Sequence, residues 1–95
     1  MIRAMEYEGW PGGELVREGL ADLRAGRSTV SALLVAIGSP RLRRSGIPVP
    51  ECNSDGAEHR LYEMLARSDP DSAHSRYNAL IRRLVSFERA LECAG

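Results

Sequence analysis

The stretch Pro70–Glu92, PDSAHSRYNALIRRLVSFERALE, is the longest uninterrupted helical pattern in the chain. Ala73, Tyr77, Leu80, Leu84, Phe87 and Leu91 recur at alternating spacings of four and three, a heptad-like seam. At about 100° per residue, Ile81 and Val85 widen that seam to nearly half the circumference. Asp69 before Pro70 reads as an N-cap followed by a proline at the first helical position, and Asp71 adds first-turn negative charge. At about 1.5 Å per residue the helix spans roughly 34 Å. The other helices are expected to pack against it.

The opposite half of this helix carries Ser72, Ser75, Arg76, Ala79, Arg82, Arg83, Ser86, Arg89, Ala90 and Cys93, with no acid among them. Exposed helix faces usually mix both signs and gain i,i+4 pairs. A cationic strip with little bulk between its charges suits an anion, a phosphate or an acidic partner. The structural alternative is neutralisation by Glu14, Glu18, Asp22, Glu58 or Glu63 from other helices, or plain solvation, since surface pairs contribute little.

Working outward, Glu14–Ala25 is a second helix, striped by Leu15, Val16, Leu20 and Leu23 and ended by Gly26. Gly19 lies beside the stripe, where a neighbouring helix can approach. Residues 1–13 read as an irregular N-terminal arm broken at Trp10-Pro11-Gly12-Gly13, with Trp10 a hydrophobic cover or a stacking surface. Ser28 or Thr29 caps a helix that runs to Ile37 and ends at Gly38; apolar nearly all round, it is expected to be the most buried. Ser39-Pro40 then opens a short helix to Ser45, closed by Gly46. Residues 47–55 form a proline-rich strap and polar loop. Asp55 with Glu58 makes a capping-box pattern for a helix holding Leu61, Tyr62, Met64 and Leu65. The Arg67-Ser68-Asp69 link forces an angled or antiparallel pair.

Ninety-five residues make one domain, and 43% apolar residues are ordinary for a globular chain. Thirteen basic and thirteen acidic side chains balance, which argues against a dedicated nucleic-acid binder. Every basic residue is Arg, which points to a GC-rich, bacterial genome rather than to chemistry. Cys52 and Cys93 are too few for a disulfide framework. No apolar leader core stands near Met1, and the longest apolar run, Ala32–Ile37, is too short for a bilayer, so a cytoplasmic protein with no membrane role is expected.

Four constellations of residues could carry function. Residues 28–45 have the order of a short helix-turn-helix, with Arg41, Arg43 and Arg44 as nucleic-acid contacts. The second helix is barely two turns and has one apolar anchor, Leu42. His59, Glu63 and His74 are a weak metal pattern, and no metal or cofactor is expected. Cys52, Cys93, Ser75 and Ser86 lack a spaced base, and no phosphate loop is present, so no catalytic residue is assigned and an enzyme is disfavoured. The reading that remains is an all-α domain of four to five helices, without a sheet, organised on the helix at about 70–92. It acts as a non-enzymatic interaction module through Arg76, Arg82, Arg83 and Arg89, binding an acidic protein or a second copy of itself. DNA binding and small-anion binding are the alternatives.

Overall fold

A computed structural model describes residues 10–52 and 55–94 of the chain. Among them are four α-helices and no strand: α1 (Gly13–Arg24), α2 (Val30–Arg44), α3 (Ala57–Ser68) and α4 (Ala73–Ala94). The expected all-α architecture is therefore present. Residues 1–9 of the expected arm, and Asn53 and Ser54 of the loop, lie outside the described residues.

Each helix end has a local cause. Gly26 takes φ +75°, its N–H reaches Leu23 O at 3.1 Å and the Arg27 N–H reaches Asp22 O at 2.8 Å. Those two bonds are a Schellman closure, in which a left-handed residue satisfies the last carbonyls of α1. Gly46 repeats it for α2, with Gly46 N–H to Arg43 O and Ile47 N–H to Leu42 O, both 3.0 Å. The second closure also turns Ile47 inward, where it is 2% exposed beside fully buried Leu42. Thr29 caps α2: its Oγ1 accepts from the Ala32 N–H at 3.1 Å and donates to Asp22 Oδ2 at 2.6 Å. Asp22 also takes the Arg27 guanidinium at 2.8 Å. These bonds, Thr29 first and Arg27 second, hold the Asp22 carboxyl below its ordinary value.

Three expected boundaries are corrected. First, no break occurs at Gly38-Ser39; α2 is one fifteen-residue helix with Pro40 inside it. Proline lacks the N–H that would bond Ala36 O. The buried Ser39 hydroxyl donates to that carbonyl instead, at 2.9 Å, and the helix continues. Residues 28–45 therefore do not form a helix-turn-helix. Second, Asp69 is the C-cap of α3, its N–H bonded to Leu65 O at 3.0 Å, and it does not open α4. Residues 69–72 make a turn in which the Ser72 Oγ donates to Asp69 Oδ2 at 2.7 Å, and α4 begins at Ala73 rather than Pro70. Third, the N-cap of α3 is Gly56, at φ +70°, rather than Asp55, and it offers no side chain.

The core is built where the four apolar stripes meet. Val16 and Leu20 of α1, Leu33, Leu34, Val35 and Leu42 of α2, Leu61 and Leu65 of α3, and Leu84, Phe87 and Leu91 of α4 are all buried. Full burial of a side chain such as Phe87 contributes about 1.5–3 kcal/mol. Helices α2 and α4 each touch the other three, whereas α1 and α3 do not touch one another. Nine of the fifteen α2 residues are buried, in line with the expectation from its all-round apolar pattern. Glycines allow close approach at two helix crossings. A Cβ on Gly19 would stand 2.3 Å from Ser31 O, and one on Gly38 would stand 2.9 Å from Leu84 Cδ1.

Candidate functional site

Burying the seam of α4 fixes which side faces water. Ser75, Arg76, Ala79, Arg82, Arg83, Ser86, Arg89 and Cys93 are exposed, with Ser72 and Ala90 half-buried at the margins. At about 100° per residue the arginines fall into two rows, Arg76 with Arg83 and Arg82 with Arg89. Members of a row are seven residues apart, or about 10.5 Å along the axis. Small side chains occupy the space between the rows. No carboxylate of a described residue pairs with any of the four. The described ion pairs go elsewhere: Arg27 to Asp22 at 2.8 Å, Arg41 to Glu88 at 3.6 Å, and Arg67 to Glu63 at 4.0 Å. Of the expected neutralisers, Asp22 serves α1 and Thr29, Glu63 pairs with His59 and Arg67 within α3, and Glu58 lies against Tyr77.

The middle of this face borders a cleft. Trp10, Pro11, Gly12, Gly13 and Glu14 form one wall and Arg82, Arg83 and Ser86 the other, around about 520 Å³. The contact is close because Gly12 takes φ +73° and lies against the α4 backbone; a Cβ there would stand 2.4 Å from Arg83 O. The Gly13 N–H closes a turn on Trp10 O at 3.0 Å. The indole ring leans on Phe87, with centroids 5.9 Å apart and planes at 48°. Trp10 is thus both a cover over the core, as its place before the first clear helix suggests, and a wall of the cleft.

The second arginine cluster is dispersed. Arg41 turns to Glu88. Arg43 holds the strap, donating to Pro50 O at 2.9 Å and to Val49 O at 3.4 Å. Arg44 alone is left exposed without a described partner. His59 pairs with Glu63, and His74 Nε2 lies 3.2 Å from Asn78 Nδ2. No group of three His, Cys, Asp or Glu able to hold a metal stands together among the described residues. Cys52 and Cys93 are free thiols.

Glu88 escaped the sequence reading. It is 5% exposed, in the middle of the α4 seam, four residues after Leu84 and three before Leu91. Burial pushes its carboxyl above the ordinary value, opposed by Arg41 and reinforced by Glu92. That seam position was the available signal. The cleft at Trp10–Glu14 also escaped, because it depends on where α1 begins against α4. No described helix is long and apolar enough to cross a membrane. No family model, curated protein or solved structure matches the chain.

Proposed function

We propose that the chain is a helical interaction module that docks an acidic protein segment on the outer face of α4. The observation supporting this reading is the set of four exposed arginines, Arg76, Arg82, Arg83 and Arg89, with no described carboxylate against them. Formal charge over the chain is zero, so the cation density is local to this face. Guanidinium groups bind carboxylates bidentately and are weakly hydrated, which favours their use at interfaces. Small residues between the rows let an extended or helical partner backbone come close. Because α2 is one continuous helix, the DNA-binding alternative lacks the short helix-turn-helix it was read from.

The test uses a fluorescein-labelled polyglutamate peptide in an anisotropy titration. Arg82→Glu with Arg83→Glu should keep its helical circular dichroism and lose peptide binding. Arg24→Glu with Arg67→Glu makes the same change in net charge away from the face and should retain it. Equal loss in both double variants would reduce the effect to net charge and overturn the proposal.

A further inference from the structure

We infer that the cleft between the start of α1 and α4 is a binding site for a small organic phosphate. Arg82 and Arg83 reach one wall from consecutive positions on α4, and neither has a hydrogen bond or ion pair among the described residues. Two uncommitted guanidinium groups at one opening provide the fork-shaped donors that a phosphate dianion takes in charge-assisted pairs. Ser86, on the same wall, adds a hydroxyl. At Gly12 the chain is too close to α4 for any side chain, so backbone lines that part of the wall. Among the described residues Glu14 is the one carboxylate lining the cleft, and it sets a counter-charge.

The cleft, at about 520 Å³, is within the range of small-molecule sites and far larger than a bare phosphate requires. Trp10 lines the remaining volume, half-exposed and braced from behind by Phe87. A phosphate ester with a planar aromatic group fits this pairing: the phosphate against Arg82 and Arg83, the ring against the indole. This site shares two arginines with the docking face but needs no protein partner. Arg76 and Arg89 belong to the docking face and do not line the cleft.

Trp10 is the only tryptophan, so its fluorescence reports the cleft directly. The probe is phenyl phosphate, with inorganic phosphate and sodium chloride at matched ionic strength as the comparison arms. Saturable quenching by phenyl phosphate is expected, with weaker binding of inorganic phosphate and none by chloride. Arg82→Gln with Arg83→Gln should weaken phenyl phosphate binding by about tenfold or more. Arg76→Gln with Arg89→Gln should leave it unchanged while weakening polyglutamate, which separates this site from the docking reading. No saturable quenching, equal quenching in the Arg82/Arg83 variant, or equal affinity for inorganic and phenyl phosphate would overturn the assignment. A rise in melting temperature with phenyl phosphate, absent in that variant, is the second readout.

Discussion

Glu88 is an acid at a core position, and its surroundings work in opposite directions. Burial between α2 and α4 disfavours the carboxylate, whereas Arg41 favours it, and burial is the larger influence. The folded protein therefore holds this proton more tightly than the unfolded chain, whose value is near 4.5. By linkage, the charged group costs stability at neutral pH, and that cost fades as pH falls through the raised value. Asp22 has the opposite sign. Its contribution is present above the unfolded value near 3.8 and is lost as pH falls through its lowered one. Glu88→Gln should raise the melting temperature at neutral pH by about 2–5 °C, and the gap should close toward pH 4.5. A variant that melts lower at neutral pH would show that the Arg41 pair outweighs the burial. The two crossing glycines give a second prediction by urea denaturation. Gly19→Ala meets the Ser31 carbonyl at 2.3 Å, which is backbone, whereas Gly38→Ala meets the ends of Leu84 and Glu88 at 2.9 and 3.0 Å. Both should destabilise, Gly19→Ala more, within about 1–3 kcal/mol. On an open helix face the same change would stabilise.

At the scale of elements, α2 shows how a sequence rule and a structure part ways. Gly38, Ser39 and Pro40 each carry a terminating signal, and together they read as a turn. In the fold each has another use. Gly38 admits α4, Ser39 supplies the hydrogen bond, and Pro40 lies on the exposed side. The deciding contact is tertiary, so no local pattern shows it. Gly26 and Gly46 were legible because their closures are local, made within a few residues. Asp55 and Asp69 misled for a related reason: each has the chemistry of an N-cap, but Gly56 and the turn at residues 69–72 fill that place. Ser39→Ala should cost about 1–3 kcal/mol, because the Ala36 carbonyl is left buried without a donor. Adding Pro40→Ala restores an N–H to that carbonyl, so the same Ser39→Ala change should then cost less. A double-mutant cycle measures the coupling, and additive costs would contradict this account of α2.

Across the whole molecule, with extents of 40 × 24 × 20 Å, the seam of α4 and the stripe of α1 are legible from periodicity alone, and burial follows them. The outward half of α4 was legible by subtraction, since whatever the seam does not use must face outward. Glu88 was marked only by its place in the α4 seam, and the cleft beside Trp10 was not legible, because it is defined by one helix meeting another. Four arginines lie on one face of α4 with no carboxylate of a described residue paired to them. The most direct test is the anisotropy of labelled polyglutamate against the wild-type chain and the Arg82→Glu/Arg83→Glu variant, both confirmed folded by circular dichroism. The account predicts saturable wild-type binding that weakens with salt over the range where screening shortens to about 8 Å, and no binding to the variant. Undiminished binding to the folded variant would contradict it.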